Sequence, residues 1–252
     1  MTATSVATES DPKFSGVRLA VAVAGWIAFS VAAGFATGAL ANMIVPEWAS
    51  DPDHLATVIV VEVYAILVAL MLLVVGGGKR TRSALALLPS PPRDIAMALV
   101  ALVAAYSVSA IGYAILHAFV SPDPSVLDIM LGVGSDGGRL ANAGPWSTGL
   151  IIARISILVP IGEELLFRGA LFGWLRLRLS ARVTISITAV LFAVIHQFLI
   201  VLPLAFLWGA AIGWVRERTG SVVPGIVAHS VNGLCLLALS FAVTGWTAEL
   251  PF

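Results

Sequence analysis

The chain has 252 residues, 59% hydrophobic and 11% charged, with a mean hydropathy of +1.00 and zero formal net charge. A water-soluble domain carries about 25% charged residues, so lipid must be the solvent for much of this chain. The neutral balance argues against nucleic acid or a polybasic membrane patch as partner, and the single cysteine, Cys235, excludes an internal disulfide and a cysteine-based metal cluster.

Residues 1–16 are polar and read as a disordered, cytoplasmic N-terminus. A transmembrane helix needs about 20 mostly apolar residues, and candidate spans follow at 18–45, 55–75, 95–120, 148–169, 183–202, 203–215 and 222–246. Unpaired backbone groups are not tolerated in lipid, so these runs are helices. The expected fold is an all-α, polytopic membrane bundle of about seven helices; the sixth run is short and joins the fifth around Pro203 in the alternative count. An A-x-A site at Ala39-Leu40-Ala41 follows the first run, but that run is long for a signal-peptide core and Glu9 and Asp11 dilute its basic start. The first span is therefore expected to stay.

Basic residues alternate between connections. Lys13 and Arg18 flank the first span. Lys79, Arg80, Arg82 and Arg93 lie between the second and third, Arg168, Arg176, Arg178 and Arg182 between the fourth and fifth, and Arg216 and Arg218 before the seventh. The other connections carry almost none, apart from Arg139. By the positive-inside rule the N-terminus is cytoplasmic and the C-terminus external. Trp48, Trp146 and Trp246 then fall at outer ends and Trp174 and Trp214 at inner ends, as an aromatic belt.

Gly76-Gly77-Gly78 and Pro89-Ser90-Pro91-Pro92 bracket a basic inner connection, and residues 121–146 form an outer loop bearing Asp123, Asp128 and Asp136. In the first three spans only Glu62 and His117 are buried ionisable candidates. The chain accordingly divides into 17–146, scaffold helices with an outer loop, and 147–252, a catalytic core.

Ionisable groups inside a membrane are functional candidates by default. The fourth span contains Gly162-Glu163-Glu164-Leu165-Leu166-Phe167-Arg168. Glu164 and Arg168 are four apart with the acid first, the favoured order for a helical ion pair. Glu163 points about 100° away and has no local counter-ion, which marks it as the reactive carboxylate; the plain alternative is that both glutamates are structural partners of Arg154, Arg168 or Arg176. The fifth span places Phe192 and His196 on one face, and the seventh places His229 and Asn232 three apart on one face. Singly, these histidines and the asparagine also suit hydrogen-bonded packing between helices. Together they form a toolkit for hydrolysis: a carboxylate and an imidazole to deprotonate water, and an imidazole and a carboxamide to donate to an oxyanion. Ser230 diverges from His229 and is not expected to be a nucleophile.

Glu163-Glu164-x-x-x-Arg168, Phe192-x-x-x-His196 and the His229/Asn232 pair resemble the three signatures of the CPBP family of intramembrane proteases, which includes CAAX prenyl proteases of the Ras-converting type and bacterial bacteriocin-processing and self-immunity proteins. The likeness covers about 147–239. It implies an intramembrane endopeptidase in which Glu163 and His196 activate water, His229 and Asn232 stabilise the oxyanion, and Glu164, Arg168 and Phe192 support them. It implies a peptide or protein substrate in or at the bilayer, prenylated in the eponymous case, and a bacterial plasma-membrane location. The family asparagine usually stands four residues after the histidine; here Asn232 stands at three and Gly233 at the fourth place. No cofactor is expected in this reading. In the alternative, zinc is bound by Glu163, His196 and His229 with one open position. The competing functions are a non-proteolytic membrane scaffold or bacteriocin-immunity factor with the same fold, and a small transporter using Glu62 and Arg154. The clustering of polar groups in one half, without an inverted repeat, argues against transport.

Overall fold

The computed structural model describes residues 16–46, 52–75, 81–120, 145–196 and 202–248. Expectations for residues 1–15, for Gly76-Gly77-Gly78 and for most of the outer loop concern residues outside these ranges. Seven helices and no strand appear among the described residues. Helix α1 is Gly16–Ile44. Helix α2 is Pro52–Leu70, continued by a widened π-type turn at Met71–Val75. After a single turn at Thr81–Ala84, helix α3 runs Pro92–Val120, with proline in the first helical position, where its missing N–H is not needed. Helix α4 is a composite over 145–176, α5 is Ala181–Ile195, α6 is Leu202–Thr219 and α7 is Val223–Ala248. Among the described residues, three stretches are long and apolar enough to cross a bilayer by length and composition, Gly16–Ile44, Leu55–Leu73 and Pro92–Ile115. Large apolar side chains such as Phe35, Met43, Leu73 and Val100 are exposed on them, as helices solvated by lipid require.

The expected fifth run, 183–202, is shorter as a helix. It ends at Ile195 with His196 as its cap, and α6 starts afresh at Leu202, so the fifth and sixth runs are separate helices. The expected fourth span is not one regular helix. Its α-helical pieces Pro145–Ala153, Val159–Glu164 and Phe172–Arg176 are separated by π-type turns at Arg154–Leu158 and Leu165–Leu171. Pro160, in the first turn of the middle piece, lacks the N–H that a continuous ladder would use. Each π-type turn shifts the register of side chains around the axis, so residues of α4 can face several neighbours.

Helix α4 sits centrally: α2 packs on one side, α7 on another and the start of α5 near its end, while α3 packs against α6 and α7. Helix α1 packs mainly on α2, where Trp26 Nε1 donates to Val63 O at 2.8 Å and Thr37 Oγ1 donates to Glu62 Oε1 at 2.6 Å. Helix α5 packs extensively on α6. A Cβ at Gly209 would meet Ala189 Cα at 3.1 Å, so the backbones touch there. At the arginine-rich end the connections are tied together. Val222 N donates to Ala86 O at 2.9 Å and Ser221 Oγ to Leu88 O at 2.7 Å, and Arg176 is bidentate to Glu217 at 2.8 and 3.0 Å.

Candidate active site

The middle of α4 presents Glu163 and Glu164 where the α-helical piece gives way to the second π-type turn. Both are buried, at 5% and 0% exposure. As their 100° divergence requires, they face different partners. Glu164 Oε1 accepts from Arg168 Nη1 at 2.9 Å, an ion pair wholly out of solvent. Arg168 Nη2 donates to Gly209 O on α6 at 3.2 Å, and its guanidinium carbon lies 4.4 Å from the centroid of the Phe192 ring on α5. The backbone carbonyl of Arg168 accepts from Arg216 Nε at 3.0 Å. One arginine thereby joins α4, α5 and α6, and a cation desolvated in this way is tolerable only when paired and hydrogen-bonded.

His229, from α7, stands between the two glutamates. Its Nδ1 is 3.3 Å from Glu164 Oε1, and its Nε2 is 3.9 Å from Glu163 Oε2. The first distance permits a hydrogen bond and the second does not. Two aromatic rings hold the imidazole edge-on, Trp208 of α6 at 5.6 Å and Phe192 at 6.2 Å between centroids. Glu163 Oε1 accepts from the Tyr64 hydroxyl of α2 at 2.7 Å. Its other oxygen, Oε2, is buried without a hydrogen-bond partner.

His196 lies at the end of α5. Its Nδ1 is 2.8 Å from Phe192 O, and its ring is 4.6 Å from the Phe192 ring. A carbonyl oxygen only accepts, so Nδ1 carries the proton and Nε2 is left with its lone pair. His196 has neither a hydrogen bond nor an ion pair to Glu163 or His229. Among the described residues no three His, Cys, Asp or Glu side chains gather as a metal-binding group. Glu163, His196 and His229 as arranged therefore do not fit the zinc set considered from sequence.

Asn232, one turn beyond His229 on α7, accepts at Oδ1 from the Tyr106 hydroxyl of α3 at 2.8 Å. Gly233 faces elsewhere. A Cβ built there would lie 2.6 Å from Ile155 O, in the first π-type turn of α4, so no side chain fits at the place where a family asparagine is expected. Five of the seven singled-out residues, Glu163, Glu164, Arg168, Phe192 and His229, meet at one centre. Asn232 adjoins it through α7, and His196 touches it through Phe192. Sequence reasoning missed Tyr64, Tyr106 and Trp208. The tyrosines belong to the half read as scaffold, and a phenol in an apolar helix gives no periodic signal that separates a site residue from an interfacial one.

Residues 145–235 match the family described as type II CAAX prenyl endopeptidase Rce1-like. The match supports a CAAX protease family assignment. It spans a little over a third of the chain and contains every one of the seven singled-out residues. No curated protein and no solved structure matches the chain. With the apolar helices, the CAAX protease assignment supports an integral membrane protein and, in general, an intramembrane protease.

Proposed function

We propose that this chain is an intramembrane endopeptidase that hydrolyses a peptide bond with water activated by Glu163 and His196. The observation that carries the reading is the buried, unpartnered Glu163 Oε2 on one side of a gap whose other side is His229 Nε2, 3.9 Å away. A buried carboxylate oxygen without a partner is an expensive arrangement, reasonable where it receives a proton during turnover. Water, held through one O–H by the His196 Nε2 lone pair, attacks the scissile carbonyl carbon as Glu163 Oε2 takes up the proton of its other O–H. The carbonyl oxygen becomes an oxyanion that accepts hydrogen bonds from His229 and from Asn232 Nδ2. With Nδ1 donating to Glu164, His229 donates from Nε2 in its doubly protonated form. Return of the proton to the amide nitrogen breaks the C–N bond and releases an amine and a carboxylic acid. Glu164, Arg168 and Phe192 hold His229 and α5 in place.

The substrate in this reading is a membrane-associated or lipid-modified peptide, with a prenylated C-terminus as the first to test. Catalysis is metal-independent. The chain lies in a bacterial plasma membrane with its N-terminus in the cytoplasm and its C-terminus outside, so the arginine-rich end of the bundle is the cytoplasmic one.

The test is cleavage of a fluorogenic farnesylated CAAX-type peptide by the purified chain in liposomes, beside Glu163→Ala and His196→Ala. Cleavage by wild type with loss in both variants supports the reading. Equal cleavage by Glu163→Ala and wild type overturns it. Absence of cleavage by all three, with no difference between the peptidomes of the wild-type and Glu163→Ala strains, favours a non-proteolytic scaffold or immunity role.

A further inference from the structure

Two hydroxyls from outside the family-matched segment end on the proposed catalytic groups. Tyr64 Oη donates to Glu163 Oε1 at 2.7 Å from α2, and Tyr106 Oη donates to Asn232 Oδ1 at 2.8 Å from α3. Neither contact is within a helix; the partners are 99 and 126 residues apart in sequence. Both hydroxyls are partly buried, where a hydrogen bond has few water competitors.

Each bond leaves a defined remainder. With Oε1 of Glu163 occupied, Oε2 is the oxygen left without a partner, and it is the one that points towards His229 Nε2. The Tyr64 ring is itself wedged against the residue before Glu163, since a Cβ at Gly162 would meet Tyr64 Cδ1 at 3.0 Å. The phenol therefore has little freedom to follow the carboxylate if the latter rotates. For Asn232, a carboxamide whose oxygen accepts from Tyr106 is fixed against a 180° flip, so its Nδ2 and both N–H donors face away from that tyrosine.

We propose that Tyr64 and Tyr106 are positioning residues, Tyr64 selecting Oε2 of Glu163 as the proton acceptor and Tyr106 turning the Asn232 amide N–H towards the oxyanion. The inference rests on the proteolytic reading above. It also makes α2 and α3 part of the site rather than a passive scaffold, because the two donors come from helices the family match does not include.

The experiment measures kcat and KM on the farnesylated CAAX-type peptide in liposomes, with thermal midpoints, for Tyr64→Phe, Tyr106→Phe, Glu163→Ala, Asn232→Ala and the double variant Asn232→Ala/Tyr106→Phe. Hydrogen bonds to charged groups contribute roughly tenfold or more and those between neutral groups about two- to tenfold. Tyr64→Phe should accordingly lower kcat about tenfold and Tyr106→Phe several-fold, each with KM changed by less than about twofold, the signature of an effect confined to the transition state. Fluorotyrosine at position 64, which keeps the donor, should restore kcat. Because Tyr106 acts through Asn232, the double variant should be no slower than Asn232→Ala. Wild-type kcat in both phenylalanine variants, with Glu163→Ala and Asn232→Ala impaired, overturns the positioning role and leaves the protease reading standing. A further drop in the double variant, or lower thermal midpoints that track the lost activity, assigns the tyrosines to packing and also overturns it. Wild-type cleavage by Glu163→Ala, or none by wild type together with identical peptidomes of the wild-type and Glu163→Ala strains, overturns the protease reading and this inference with it.

Discussion

Glu163 and Glu164 are neighbours in sequence with opposite consequences when removed. Glu164→Ala leaves Arg168, at 0% exposure, without its ion-pair partner, and stranding a buried charge typically costs about 3–5 kcal/mol. The expected outcome is a lower thermal midpoint and poor recovery of folded protein, measured in detergent micelles. Glu163→Ala, by contrast, should fold with a midpoint near wild type and lose cleavage. Asn232→Ala should slow kcat by about a hundredfold with little change in KM, because loss of one oxyanion donor costs about 2.7–4 kcal/mol; steady-state kinetics on the prenylated peptide checks this. The Glu164–Arg168 pair was legible from its spacing of four residues, and the geometry bears out the divergence of the two acids. Which imidazole stands beside Glu163 was not legible. His229, rather than His196, lies there, because that neighbour is chosen by how α7 crosses α4 and not by any periodicity within a helix.

The composite helix α4 gives the element scale its interest. A regular 3.6-residue repeat keeps each face in one direction, whereas the π-type turns at Arg154–Leu158 and Leu165–Leu171 rotate successive stretches towards different helices. Hydropathy located this segment as a single span over 148–169, since a window average does not register which carbonyl each N–H bonds. The same turns bring α7 so close that Gly233 lies against Ile155 O. Gly233→Ala is expected to destabilise by about 1–3 kcal/mol through overpacking, read as a fall in thermal midpoint, and Gly233→Asn should be worse still. Moving the asparagine to position 233 is thus not expected to rescue Asn232→Ala. A control at Gly173, where a Cβ meets nothing within 4 Å, should tolerate alanine with a midpoint close to wild type.

At the scale of the molecule, composition and the spacing of apolar runs revealed an all-helical membrane bundle, and the seven helices among the described residues agree with the expected number. The division into scaffold and catalytic halves missed the reach of Tyr64 and Tyr106 across the bundle, because contacts between distant helices leave no mark in either helix alone. Sidedness is testable with single cysteines on a Cys235→Ser background. Leu177→Cys, at an exposed position of the arginine-rich end, should react with an impermeant maleimide only from the cytoplasm, and Trp146→Cys only from outside; reversed labelling would invert the topology. The buried Arg168 also bears on how the chain enters the membrane. A segment carrying Arg154, Glu163, Glu164 and Arg168 is a poor substrate for insertion alone, each ionised group near the middle of a bilayer adding about 2.5–3.5 kcal/mol. Tyr64, on Glu163, comes earlier and Glu164 pairs with Arg168 within the segment, but several of the groups that pack on it come later in the chain: Phe192 and Gly209 O on the Arg168 guanidinium, Arg216 on the Arg168 backbone carbonyl, and His229 on Glu164. Biogenesis should therefore be cooperative across the second half, with α4 held at the translocon until α5–α7 emerge, and a nascent chain truncated after Ser180 should leave it unintegrated, as carbonate extraction or glycosylation mapping would reveal.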